Sequence, residues 1–390
     1  MKRVFLFAAL AIFVFGCNVS RERSEAYVNA VSRIRALGLV TTEEEARRTY
    51  KGGSTSTYYR ISNLGLKLAC KIRKYRRGAN RAQMAGYLRD FAGDAKQFEK
   101  AAADGSIPAQ FDVNPLGEMP DGYLSMLLAG DFFRARAIYR AESGALKDAA
   151  ADIYRIVSID KQLSIAPDNA APTVSVRLAR DVGSAAQDVA ALCGNNDLML
   201  SSLQRAVAEV PPPNFRSAIG YNLVSQKKIC DLFRSGKYTL DALGIAGKTS
   251  ISSADVDLAE STAAEITADV AEVFPDRNKI AAIKIPEADG PANAVARNLV
   301  IDVFALADAQ LTKAALQEMG LIGLDAVRKR AKAHKWDLTA ITTSSDAFEY
   351  SGPYRAVATE NSLQIYSVGK NGKDDAGKED DLVGFDYKEG

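Results

Sequence analysis

The chain has 390 residues, 47% of them hydrophobic, with 50 Lys and Arg against 48 Asp and Glu and a single histidine. That much apolar material supports one large or two modest cores and argues against a disordered chain. The near-zero net charge gives no electrostatic footprint for nucleic acid, and one imidazole excludes a histidine-rich metal site.

The first residues are Met1, Lys2 and Arg3, followed by an uncharged apolar run over residues 4–15 that closes on Gly16 and Cys17. A positive start, a short apolar stretch and a small residue before the cut are the layout of a signal peptide, here residues 1–16. As a helix, residues 4–16 would reach only about 20 Å against a hydrocarbon core of ~30 Å, so a permanent membrane span is the weaker reading. Removal of residues 1–16 leaves 48 basic and 48 acidic residues.

The remaining pattern predicts a mainly α fold, an irregular helical bundle of αα-hairpins with a small C-terminal β-containing cap. It divides into an N-terminal helical domain over residues 17–235, a linker or long loop over 236–252, C-terminal helices over 253–336 and a small acidic tail over 337–390. Thr42 followed by Glu43, Glu44 and Glu45 is a capping box opening a short helix. Leu124, Leu127, Leu128, Ala135 and Ile138 share one helical face; Leu146, Ala149, Ile153, Ile156 and Leu163 share the next, with Ser143 and Gly144 turning between them. Pro172 suits a first helical turn, and Gly194, Asn195 and Asn196 break that helix. A further face formed by Leu198, Leu203, Val207 and Val210 stops at Pro211, Pro212 and Pro213, and Ile219, Leu223, Ile229, Cys230 and Phe233 form another.

Residues 236–252 are rich in Gly, Ser and Thr. A capped acidic helix follows and ends at Pro275; residues 279–285 have the texture of a short strand. Pro291 opens a long helical stretch to Trp336, with a candidate break over residues 320–323. Residues 354–357 and 363–368 are predicted strands, and the last twenty residues form an acidic, glycine-containing tail.

Charge is uneven along this plan. Residues 60–100 hold eleven Lys and Arg against three Asp and Glu, while residues 250–273 hold six acids and no base. The densest basic run, residues 71–77, is expected as a solvated helix face; the alternative is a contact with anionic head groups or a polyanionic wall polymer. Beyond Cys17 there are three cysteines, Cys70, Cys193 and Cys230, expected as buried inert thiols, with a Cys193–Cys230 bridge as the alternative. His334 sits among Arg328, Lys329, Arg330, Lys332 and Lys335, a basic helical surface with no carboxylate to orient an imidazole for catalysis. Tyr58, Tyr59 and Trp336 are expected to pack rather than to carry a ligand. No catalytic residue and no nucleotide-binding loop emerges.

Four resemblances can be placed on particular residues. Val14, Phe15, Gly16 and Cys17 resemble the lipobox of bacterial lipoproteins, although Phe15 departs from the usual small residue. The resemblance implies diacylglyceride on Cys17 and a lipid-anchored envelope protein, and Asn18 in place of an inner-membrane retention aspartate favours the outer membrane. The residues from Leu37 and Gly38 through Thr41 to Glu45, the hairpin over 131–163 and the helix pair over 172–213 resemble an uncharacterised family of exported helical bacterial proteins, which supports architecture alone. Residues 135–159 resemble one tetratricopeptide hairpin, with no second copy at a fixed period.

The end of the chain is similar to the C-terminal region of type II secretion major pseudopilins. The similarity runs through Asp346, Ala347 and Phe348, then Gly352, Pro353 and Tyr354, then residues 365–372, and finally Asp380, Asp381, Leu382 and Val383. It implies a calcium-binding loop after the Tyr366–Ser367 strand, with Asn371 in place of the first aspartate and Asp380 and Asp381 as the later pair. Asp374 and Asp375 are alternative ligands in a shifted register, and Gly369 and Gly372 would aim backbone carbonyls inward. A solvated acidic tail is the competing reading. The functional expectation is a noncatalytic binding or scaffolding module with an envelope protein or polymer as partner. The alternatives are an accessory factor of a secretion or surface-assembly system and a carboxylate-dependent hydrolase of envelope polymer.

Overall fold

The computed structural model describes residues 23–49, 67, 70–104, 121–164, 166, 170–212, 215–245, 251–348, 352–369, 373–378 and 381–389. The chain is mainly α, closed by one small antiparallel sheet near its end. The early helices are α1 (Glu25–Ala36), α2 (Glu43–Thr49), α3 (Arg81–Asp90) and α4 (Ala92–Asp104). Then come α5 (Asp121–Glu142), α6 (Leu146–Leu163), α7 (Ala170–Cys193), α8 (Asp197–Ala208) and α9 (Phe215–Arg234). The C-terminal part adds α10 (Ser253–Val273), α11 (Arg277–Ala282), α12 (Pro291–Ala333), α13 (Thr339–Thr343) and strands β1 (Arg355–Ala358), β2 (Ser362–Ser367) and β3 (Leu382–Lys388).

Local chemistry starts these helices. Ser24 Oγ accepts the Tyr27 amide at the head of α1. At α2 the expected capping box is formed reciprocally: Thr42 Oγ1 accepts from the Glu45 amide at 3.1 Å, and Glu45 Oε2 accepts from the Thr42 amide at 3.1 Å. Ser252 and Asp255 make the same device at α10. Gly144, at φ +79°, lets the chain turn from α5 into α6, a conformation disfavoured for residues with a Cβ.

The helices enclose two hydrophobic cores. One gathers α3 to α8, the second half of α12 and the sheet, with Phe91, Phe98, Phe132 and Phe133 clustered at its centre. The other gathers α1, α9, α10 and the first half of α12. The 43-residue helix α12 therefore serves both, Val295 to Ala307 in one and Leu311 to Val327 in the other. In the second core Gln226 Nε2 reaches both Thr267 Oγ1 and the Leu299 carbonyl, and Arg277 pairs with Asp308. These links advance together along the chain, so α10 and α12 run parallel.

Several expectations change. The predicted break over residues 320–323 does not occur, because those glycines admit neighbours: an ideal Cβ would lie 3.3 Å from Val207 Cγ1 at Gly320 and 2.3 Å from the Phe385 ring at Gly323. Residues 279–285 do not form a strand. Asp276 caps α11 through the Lys279 amide, and Ile280 alone on that short helix is buried. The linker region is pinned by a 3₁₀ turn, Leu240–Leu243, whose Leu240 is buried in the second core. Cys193 and Cys230 are free buried thiols belonging to different cores, so the alternative bridge is not made, and Cys70 is exposed rather than buried.

The last twenty residues are not simply a solvated tail. β3 pairs antiparallel with β2, giving the order β1-β2-β3 with a bulge at Ile365 and Tyr366. Phe385 and Tyr387 point into the core. Gln187 on α7 clamps the outer strand, donating to the Gly384 carbonyl and accepting from the Asp386 amide.

Candidate functional site

The acidic loop between β2 and β3 is the first place to test. Cys17, Asn371 and Asp380 lie outside the described residues. Asp381 is buried: its Oδ2 accepts amides from Asp375 at 3.0 Å and Gly377 at 2.8 Å, while Oδ1 has no hydrogen-bond partner among the described residues. Asp374 is committed elsewhere. Its Oδ1 accepts from Tyr366 Oη at 2.9 Å and from the Ala376 amide at 3.0 Å, and Arg355 lies 3.5 Å from Oδ2. These contacts, the Ala376 amide first, hold the Asp374 carboxyl below its usual range, and burial pushes the Tyr366 hydroxyl up to about 12. Gly369, at φ +65°, makes the turn out of β2. Asp381 Oδ1 is left open among the described residues, Asp375 is half-buried beside it, and Asp374 is engaged by Tyr366, Ala376 and Arg355. Among the described residues alone, no group of three acidic, cysteine or histidine side chains gathers to hold a metal.

Buried charge elsewhere is bound into the fold. Asp152 accepts Arg136 through two hydrogen bonds, at 2.9 and 2.6 Å, and also pairs with Arg140 and Arg155. Asp131 and Asp181 are buried near each other, and burial, with Asp131 alongside, raises Asp181 to about 6. A raised carboxyl beside a second one is the arrangement a glycosidase needs. Here, however, Arg177 bridges the two, at 3.1 Å from Asp131 and 3.6 Å from Asp181, and both acids are only 3% exposed. A polymer chain cannot reach them. The basic run at 71–77 is solvated as expected at Lys71, Arg73, Lys74 and Arg76, but it leaves the helix after Ile72, and Ile72 and Tyr75 are buried while Arg73 pairs with Asp131 and Arg77 donates to the Lys388 carbonyl.

Two depressions on the open surface are lined by described residues. One, about 720 Å³, lies between the starts of α6 and α8 and is rimmed by Leu146, Lys147, Tyr154, Met199 and the exposed Leu198. The other, about 790 Å³, lies where α12 ends and the chain turns into α13, and it is lined by Lys329, Lys332, Ala333, Lys335, Trp336 and Leu338, with Asp337, Thr339 and Thr342. His334 makes that turn in the left-handed region at φ 56°, exposed, its amide donating to the Arg330 carbonyl at 2.7 Å. Trp336 is locked in place. Nε1 donates to the Thr359 carbonyl at 2.7 Å, Tyr387 meets the ring edge-on, and the Arg330 guanidinium lies 4.6 Å over it.

Two of the three lysines share nearby acids. Lys329 lies 3.0 Å from Asp325 and 3.3 Å from Asp337, and Lys332 lies 3.3 Å from Asp197, which Arg328 also holds. Lys335 makes no ion pair with any described residue. Sequence reasoning noted the basic residues and the tryptophan separately; it missed that the left-handed turn at His334 folds them around one depression. The chain matches no protein-family profile, no curated protein and no solved structure.

Proposed function

We propose that this chain is a lipid-anchored protein of the bacterial envelope that acts as a noncatalytic binding and scaffolding module, holding a binding end away from the membrane. The observation that carries the reading is the layout of α12. Arg23 is six residues beyond Cys17, so a lipid on that cysteine would sit within roughly 20 Å of it at ~3.3–3.6 Å per residue. Arg23 is clamped by Asp231 and Glu260, and Ser24 Oγ meets Ser261 Oγ at 2.5 Å. Because α10 runs parallel to α12, this contact lies beside the first turns of α12, whereas the lysine and tryptophan depression surrounds its last. At ~1.5 Å per residue the two ends stand on the order of 50 Å apart. A continuous helix buried in both cores is a stiff spacer. Among the described residues, no helix is long and apolar enough to cross a membrane.

The anchor is tested by intact-mass analysis and cell fractionation. The mature protein is expected to begin at Cys17 with acyl mass attached, and Cys17→Ser is expected to lose processing and membrane retention. A mature chain without acyl mass, or one cut elsewhere, overturns the anchored reading.

A calcium ion at the β2–β3 loop is a second element of the proposal, supported by the unpartnered Asp381 Oδ1 in a buried carboxylate. Asp381 and Asp375 would supply side-chain oxygens, and Asn371 and Asp380 follow from the resemblance. Calcium accepts irregular sets of six to eight oxygens, and an ion bound only by the folded loop stabilises it by mass action. Millimolar calcium is therefore expected to slow proteolysis near residue 370, and Asp381→Asn to abolish the effect. Calorimetry without binding heat, together with unchanged cleavage, removes the ion from the account.

A further inference from the structure

We propose that the depression at the end of α12 binds a carboxylate-bearing saccharide of an envelope polymer, with Trp336 and Leu338 as its apolar floor and Lys329, Lys332 and Lys335 as its cationic rim. The geometry is mixed in a way that suits this ligand. A sugar ring has apolar C–H faces and polar edges, so it matches a hydrocarbon floor beside ammonium groups. Trp336 is already oriented by Thr359, Tyr387 and Arg330, which lowers the ordering cost of binding. Lys335 has no described acid to neutralise it, and Lys332, paired only at its periphery with Asp197, is mostly exposed. The rim therefore retains positive charge facing open solvent.

The site is open and broad, lined from α12, the following turn and α13. That shape admits one or two units of a long chain from the side and does not enclose a free small molecule. The choice of a polymer over a lipid surface rests on the anchored reading, in which this end stands away from the membrane. Nucleic acid is disfavoured by the neutral charge of the mature chain.

The sole tryptophan of the whole sequence lies at this site, so its emission reports the depression without a label. The full mature chain, purified in detergent, is titrated with polygalacturonate oligomers, with neutral dextran oligomers, inorganic phosphate and anionic phospholipid vesicles as parallel arms. A saturable change in emission with polygalacturonate is expected, weakening as salt rises from about 50 to 300 mM because the contacts are exposed charges. Lys332→Gln combined with Lys335→Gln is expected to shift the midpoint at least tenfold, with the melting curve little changed since both positions are on the surface. Unchanged emission, an unchanged midpoint in the double variant, or an equal response to dextran overturns the proposal. A response to phosphate or vesicles that matches polygalacturonate overturns the saccharide assignment. Because the titration does not depend on acylation, its failure is distinguishable from failure of the lipid anchor.

Discussion

Lys313→Ala is expected to lower stability at neutral pH by about 3–5 kcal/mol, the range for removing one partner of a buried ion pair. Lys313 is 1% exposed and Asp160 0%. The ammonium lies 2.8 Å from Asp160 Oδ2 and 2.5 Å from Ser175 Oγ, and Ser175 also bonds the other carboxylate oxygen. The cluster therefore ties α6, α7 and α12 together inside the first core. Burial pushes Asp160 up and Lys313 down, and each partner opposes the other's shift. Without the lysine, Asp160 faces the full desolvation penalty with only a serine hydroxyl in support, so its pKa in the folded variant rises further above the unfolded value. A group raised in this way gives stability that is present below the unfolded pKa and lost as pH rises through the folded one. The deficit of the variant is thus expected to be larger at pH 7 than at pH 4, and Asp160→Asn in the same background should recover part of it. Urea denaturation measures this as a lowered midpoint with an unchanged slope. A midpoint equal to that of the parent at pH 7 would show that the pair contributes nothing.

Gly323→Ala is expected to cost about 1–3 kcal/mol, the usual penalty for overfilling a packed core. Helix propensity alone points the other way, since alanine is favoured over glycine by ~1 kcal/mol in a helix interior. Sterics decide. The added Cβ would fall 2.3 Å from Phe385 Cγ and 2.4 and 2.5 Å from its two Cδ atoms, against a ring buried between sheet and helix. Gly93, near the start of α4, has nothing within 4 Å of its Cβ position. Gly93→Ala should therefore be neutral or stabilising, while Phe385→Leu combined with Gly323→Ala should recover part of the loss. Thermal melting of the set distinguishes the effects: a Gly323→Ala protein as stable as the parent would mean that the sheet does not press on α12 at this point.

What the sequence revealed was mostly local. The cap at Thr42, the capped start of α10, the turn at Gly144 and the proline in the first turn of α7 and α12 were legible because a capping side chain or a fixed φ acts within four residues. Helical faces were legible because burial on one side imposes a period. Features decided by distant neighbours were not. Gly320 and Gly323 carry the local signature of a break, and only Val207 and Phe385 explain why small residues sit in an unbroken helix. β3 did alternate, Phe385 and Tyr387 inward with Asp386 and Lys388 outward, but the acids before it resembled a solvated tail. The candidate site was legible in its parts. Lys329, Lys332, Lys335 and Trp336 were visible as residues, whereas their convergence depends on a left-handed turn at a histidine that no local signal announced. The proposed calcium loop rested on resemblance alone, and side-chain geometry distinguishes Asp381, whose Oδ1 has no partner among the described residues, from Asp374, already bonded to Tyr366.

The docking of α1 sets a timetable for folding. Ser24 meets Ser261 and Arg33 meets Asp269, contacts 237 and 236 residues apart along the chain. Closing a loop of that length costs about 5 kcal/mol of chain entropy by the logarithmic scaling of loop closure. The hairpin of α5 and α6 and its partner α7, by contrast, find one another within a few tens of residues. A chain delivered from its N-terminus can therefore order the first core's central helices while α1 still waits, with Tyr27, Ala30 and Ile34 uncovered until α10 arrives. Helices with local partners assemble early and distant ones late, so the second core is the part most open to a holding factor, or to aggregation, during that interval.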